Sequence, residues 1–262
     1  MHQYLFFIGN FPIRLYGIFF SLGIISGCIT AYFLLKKDRR GWESHMFDLG
    51  LVIAFAGIVG GRLWDVFFFD WEYYHNHLLE IPYIWQGGMA IQGGIIFACI
   101  AAYFYLKKHQ IPVLPFADTV TPGIILGQAI GRIANFMNGD AFGHPTGQDF
   151  GLLYPDTTLA YHTYGAQPLW PAEVWECQGD LLIFVLLLWY GCKTRAEGTT
   201  FCLYIMFYSL LRFFLENYRG DYGTLALSLK SAQITSLAAF AGAFILFLYF
   251  HFKYKSKSGI SE

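Results

Sequence analysis

Arg62, Arg132 and Arg212 stand within long apolar runs, and Glu173, Glu176 and Glu216 stand near the ends of such runs. A charge inside an apolar span is costly, and by default it marks a function or an internal pair. One arginine near a helix end can lift its head to the interface and need no partner. Three arginines and three glutamates drawn from four runs point instead to convergence. Glu216 follows Arg212 by four residues, one turn along the same helical face. Guanidinium groups grip phosphate bidentately, and they stabilise charge as a phosphate leaves. Asn135, Asn138 and Gln92 place carboxamides beside them. The set suits a phosphodiester, with Arg62 divided between that site and a local pair with Asp65. The carboxylates either neutralise the arginines or accept a proton from a nucleophile.

Other chemistries lack their signatures. No P-loop, GxSxG, HExxH or zinc-deaminase pattern occurs, so nucleotide hydrolysis, serine-hydrolase chemistry and zinc chemistry have no support. The five cysteines, Cys28, Cys99, Cys177, Cys192 and Cys202, are scattered and form no C-x-x-C pair. They read as small packing residues, not as a disulfide or metal framework. A net charge of −1 without any long basic block gives nucleic acid nothing to bind. No metal or cofactor is expected.

The elements that position these residues follow from composition. Of the 262 residues, 56% are hydrophobic and 13% charged, against about a quarter charged in soluble domains. Crossing a bilayer takes about 20 mostly apolar residues as a helix. Seven runs qualify, near 12–35, 46–69, 88–106, 115–138, 173–191, 198–217 and 231–252. They are too long, and too apolar on every face, for barrel strands. The expected fold is an all-α integral membrane protein of about seven transmembrane helices, in one domain over residues 1–262. No cleavable leader precedes the first run, which reads as a retained span.

Lys and Arg set the orientation. The first, third and fifth connections carry Lys36, Lys37, Arg39, Arg40, Lys107, Lys108, Lys193 and Arg195, and the tail carries Lys253, Lys255 and Lys257. The second and fourth connections carry none. The N-terminus is therefore expected outside and the C-terminus in the cytoplasm. The remaining cations, Arg14, Arg62, Arg132, Arg212, Arg219 and Lys230, then fall toward the outer ends of spans. The long connection 139–172, with Asp140, Asp149, Asp156, His144 and His162, reads as a small extracytoplasmic cap between spans four and five. Glycines at 57, 60 and 61, at 87, 88, 93 and 94, and at 123, 127 and 131 permit close helix approach.

At these residues the chain resembles the bacterial prolipoprotein diacylglyceryl transferases. Gly131-Arg132-Ile133-Ala134-Asn135-Phe136-Met137-Asn138-Gly139-Asp140 resembles the family signature G-R-x-x-N-F-[IM]-N-x-E. Leu15-Tyr16-Gly17 resembles W-Y-G, Gly60-Gly61-Arg62 resembles G-G-R, and Gly87 to Gly94 resembles G-G-M-S-F-H-G-G. Tyr208 to Asp221, with Arg212, Glu216 and Arg219, resembles Y…R-x-x-x-E-x-x-R-x-x-D, and Gln233 fits a glutamine opening the last span. The resemblance implies transfer of the diacylglyceryl group of phosphatidylglycerol to the thiol of a prolipoprotein's lipobox cysteine, releasing glycerol 1-phosphate. It implies a monomer in the bacterial cytoplasmic (inner) membrane with its site toward the outer face. Carried over residue by residue, it makes Arg132, Arg212, Glu176, Glu216, Tyr208 and Asp140 the catalytic candidates. Tyr16, Arg62, Gln92, Asn135, Asn138, Gly139 and Glu173 become the substrate-binding ones.

Three positions depart from the family pattern. Its histidine in G-G-M-S-F-H-G-G is Gln92, its H-P-[ST]-Q-L-Y-E appears as Trp170-Pro171-Ala172-Glu173-Val174-Trp175-Glu176, and its signature glutamate is Asp140. Glutamine is no base at neutral pH, so a proton role there is lost or moved, with Glu176, Glu173, Asp140, His144 and His162 as the candidate bases. Two alternatives stay open: a divergent paralogue acting on another lipid or acceptor, and a silent lipid- or lipoprotein-binding membrane protein.

Overall fold

The computed structural model describes residues 3–9, 11–192, 196–220 and 229–258. Lys193, Arg195 and Asp221, which figured in the orientation and the motifs, lie outside the described residues. A two-stranded antiparallel ribbon, β1 (Tyr4–Ile8) and β2 (Phe11–Arg14), precedes the helices. The helices are α1 (Leu15–Asp38), α2 (Met46–Trp64), α3 (Trp71–Tyr74), α4 (Ile91–Lys108) and α5 (Val113–Asn138). They continue with α6 (Leu159–Tyr164), α7 (Ala172–Gly191), α8 (Thr199–Leu215) and α9 (Ser231–Ser258).

Each of the seven apolar runs falls on a helix, and four segments are long and apolar enough to cross a membrane among the described residues. These are Leu15–Asp38, Trp42–Phe69, Val113–Asn138 and Ser231–Ser256. α8 is shorter, at 17 residues, and α7 carries the buried carboxylates Glu173, Glu176 and Asp180. Large apolar side chains such as Leu51, Phe55, Phe104, Leu182, Trp189 and Ile245 face outward along the helices. Such surfaces suit hydrocarbon and not water, so the chain is a multi-pass membrane protein. The ribbon departs from the all-helical expectation.

Two compact units divide the chain, one of residues 1–34 and 117–262, the other of residues 35–116. In the first unit α1 and α5 cross at glycines. A Cβ on Gly23 would stand 2.7 Å from the Gly127 carbonyl oxygen, and one on Gly27 would stand 2.7 Å from that of Gly123. α5, α7 and α8 share a core of Ile125, Ile183 and Leu187 with Leu203, Phe207 and Leu211 around it. Asp118 on α5 accepts from the Gly198 and Phe201 amides at 2.7 and 2.8 Å, satisfying orphan donors at the start of α8.

Residues 139–171 are ordered around their own buried cluster of Phe142, Tyr154, Ala160 and Leu169. Bridges pair Leu169 with both Pro145 and Leu152. Thr158 caps α6 by accepting from the Tyr161 amide. Gly139 turns the chain out of α5 with φ of +73°, where a side chain would also meet Thr158.

In the second unit α2 packs on α4, with Gly60 and Gly93 so close that a Cβ on either would meet the other helix. α2 runs on through a π turn, Asp65–Phe69, into α3.

Candidate active site

α7 presents Glu173, Glu176 and Asp180 at i, i+3 and i+7, a single face of the helix. All three are at most 1% exposed. Burial of carboxylates is tolerated only with partners; α5, α8 and the turn after α8 supply those of Glu176, and the Tyr154 hydroxyl supplies one to Glu173. Arg132 Nη2 lies 3.0 Å from Glu176 Oε1. Arg212 Nη1 and Arg219 Nη1 lie 3.8 and 3.6 Å from Glu176 Oε2. The Tyr208 hydroxyl donates to Glu176 Oε1 at 3.1 Å and accepts from Arg132 at 3.4 Å. Three guanidiniums thus meet on one carboxylate. Asp180, one turn along, is close enough to Glu176, Arg132 and Arg212 to feel their charges.

A second anion backs the first. Glu216, fully buried at the end of α8, pairs with Arg212 Nη2 at 2.7 Å. Lys230 Nζ stands 4.0 Å from the same carboxylate and donates to the Glu216 and Arg219 carbonyls. Arg212 therefore bridges two carboxylates through different nitrogens of its planar fork.

The end of α5 forms a third layer. Arg132 Nη1 donates to Asn135 Oδ1 at 3.2 Å. Asn135 and Asn138 each donate an amide hydrogen to Asp140, at 2.7 and 2.9 Å. The Gly139 and Asp140 amides bond back to the Asn135 carbonyl. Tyr16, at the start of α1, is close enough to Asp140 and Arg132 to sense both. In front lies a cavity of about 420 Å³ lined by Arg132, Asn135, Asp140, Ala141, Phe142, Leu159 and Arg219. Two guanidiniums, the Asn135 carboxamide and the Asp140 carboxylate line that space. A phosphate-sized anion fits such a cavity and such donors.

The structure thus gathers Arg132, Arg212, Glu176, Glu216, Tyr208, Asp140, Asn135, Asn138, Gly139 and Glu173 in one unit, with Tyr16 beside them. Arg62 and Gln92 belong to the other unit. Arg62 is committed locally. Its guanidinium donates to the carbonyls of Glu80, Ile81, Gly87 and Gly88, lies over the Tyr74 ring and stands 4.0 Å from Asp65. Gln92 is exposed near the start of α4. His144 Nδ1 lies 2.9 Å from the Pro145 carbonyl, while the His144 backbone bonds Tyr218 and Trp170.

Three contributors escaped the reading of the sequence. Asp180 continues the Glu173–Glu176 face, and its i+4 spacing from Glu176 was the available signal. Arg219 lines the cavity and meets Glu176, although it was noted only as a cation and a motif position. Tyr154, whose hydroxyl bonds Glu173, lies in a connection without periodicity and gave no signal.

The family model described as prolipoprotein diacylglyceryl transferase matches residues 3–249. A Clostridium botulinum (strain Langeland) protein named phosphatidylglycerol–prolipoprotein diacylglyceryl transferase is 34% identical over 251 residues, covering 95% of this chain and 96% of the relative. One of the same name from Halalkalibacterium halodurans is 34% identical over 245 residues, covering 92% of this chain and 84% of the relative. Another from Staphylococcus saprophyticus is 35% identical over 234 residues, covering 88% and 82%.

Proposed function

Because the chain belongs to the prolipoprotein diacylglyceryl transferase family, we propose that it moves the diacylglyceryl group of phosphatidylglycerol onto the thiol of a prolipoprotein's lipobox cysteine. Glycerol 1-phosphate is the leaving group. The observation that carries the reading is the meeting of Arg132, Arg212 and Arg219 on Glu176 behind a cavity lined by Arg132, Asn135 and Arg219.

In this reading the phosphodiester enters the cavity and lies against Arg132 and Arg219. Arg212, fixed by Glu216, completes the cationic wall. These groups offset the charge that develops as the phosphate departs. Asn135, Asn138 and Asp140 hold Arg132 in place, and Tyr16 and Gly139 border the head group. The cysteine thiolate attacks the glyceryl carbon, the carbon–oxygen bond to phosphate breaks, and the electron pair stays on the phosphate oxygen. The cationic wall also favours the thiolate over the thiol.

The chain has seven spans, with the N-terminus outside, the C-terminus cytoplasmic and residues 139–172 as a cap on the outer face of the bacterial inner membrane. The basic first and third connections and the basic tail support that orientation. The protein acts as a monomer. Gln92 and Trp170, where the family has histidines, favour a second reading: a paralogue that turns over the same lipid onto another acceptor.

Purified protein given labelled phosphatidylglycerol and a lipobox peptide tests both. Label on the peptide cysteine supports the transferase. Lipid turnover with an unlabelled peptide supports the paralogue, and intact lipid defeats both.

A further inference from the structure

The geometry points to Glu176 as an internal surrogate for the lipid phosphate: its carboxylate holds three guanidiniums together, and a docking phosphodiester takes Arg132 and Arg219 from it while the carboxylate takes up a proton. This inference rests on the proposed lipid substrate.

The placement of Glu176 is that of a ligand. Its Oε1 receives Arg132 and Tyr208, and its Oε2 faces Arg212 and Arg219. Those contacts come from α5, α8 and the turn after α8, the groups a bound phosphate would draw on. Only 1% of Glu176 is exposed. Three clustered guanidiniums repel one another without an anion among them, so Glu176 keeps them assembled before lipid arrives. Arg132 and Arg219 touch both this carboxylate and the cavity. An anion in the cavity competes with Glu176 for the same two side chains.

A phosphodiester in the cavity brings a further negative charge beside these carboxylates and draws on Arg132 and Arg219, which Glu176 also uses. Glu176 then loses cations while Glu173 and Asp180 flank it on α7 and Tyr208 faces it from α8. An unpaired carboxylate in such a place is neutralised by a proton. Lipid binding is therefore coupled to proton uptake.

Titration of short-chain phosphatidylglycerol into the detergent-purified protein across pH tests this. The wild type is expected to lose affinity as pH rises, by about tenfold per unit where one proton is linked. Glu176→Gln is expected to bind about tenfold tighter or more, with a flat pH profile. Glu176→Asp keeps a carboxylate and is expected to keep the slope, which guards against a glutamine variant that fails to fold. Asp180→Asn is expected to keep the slope as well. Weaker or equal binding by Glu176→Gln, or a slope that survives in it and vanishes in Asp180→Asn, overturns the inference. Transfer to a lipobox peptide is measured in parallel. Tighter lipid binding without any transfer by the wild type keeps the exchange and refutes the transferase. Transfer with no gain in affinity does the reverse, and a wild type that binds no phosphatidylglycerol refutes both.

Discussion

The Tyr154 hydroxyl donates a hydrogen bond to the Glu173 carboxylate, fastening the 139–171 segment to the first turn of α7. Both residues are buried. Tyr154→Phe leaves a buried carboxylate short of a donor, a loss of about 1–3 kcal/mol. The expected outcome is a lower melting temperature in detergent, with part of the loss recovered in the Tyr154→Phe, Glu173→Gln double variant.

Burial and the adjacent Glu173 carboxylate also push the Tyr154 hydroxyl above its ordinary value. The folded state then keeps a proton that the unfolded chain releases near pH 10. The contribution is fully present below that pH and is lost as the pH rises past it. A melting temperature followed from pH 8 to about 11 should fall more steeply in the wild type than in Tyr154→Phe. Equal slopes would remove Tyr154 from the account.

Arg132→Ala and Arg212→Ala should each abolish diacylglyceryl transfer, by a factor of about a hundred or more. Arg212→Lys should not restore it, because a single nitrogen replaces the fork that sets Nη1 toward Glu176 and Nη2 toward Glu216. His144→Ala should transfer normally, since its ring nitrogen is turned to the Pro145 carbonyl. Radiolabel on the peptide cysteine decides each case.

Asp118→Ala should lower stability by about 1–3 kcal/mol through the two amide donors it strands at the start of α8. Asp118→Asn retains an acceptor oxygen and should cost less. A thermal melt of the three proteins orders them.

Gly27→Leu should disrupt the α1–α5 crossing, where even a Cβ would stand 2.7 Å from the Gly123 carbonyl. Overpacking of that kind costs about 1–3 kcal/mol. Gly17→Leu, with open space at its Cβ, is the control and should melt like the wild type.

How far these features can be read from the chain depends on their physical range. Arg132, Arg212, Glu176 and Glu216 were legible because charge in an apolar run is conspicuous, and their pairing followed from helical spacing and convergence. Helices over the seven apolar runs were legible from hydropathy alone, while α3 and α6, of four and six residues, were too short to show. Asp118 reaches across 80 residues to cap α8, and Tyr154 reaches α7 from an irregular loop. Neither contact leaves a periodicity behind. The β1–β2 ribbon was hidden because strands of five and four residues are too short to show alternation against an apolar background. Arg62 illustrates the opposite error of emphasis. It was divided between the phosphate site and a pair with Asp65, and nothing in the sequence said that backbone carbonyls would take up its donors.

That last arrangement has a consequence for the stretch from Glu80 to Gly88. Backbone there turns repeatedly, and four of its carbonyls accept from a single guanidinium. Its shape is imported from α2, like a tent fabric drawn to one pole. Cutting that pole with a lysine, which has three donors and no fork, would release several anchor points together while leaving α2 and α4 packed at Gly60 and Gly93.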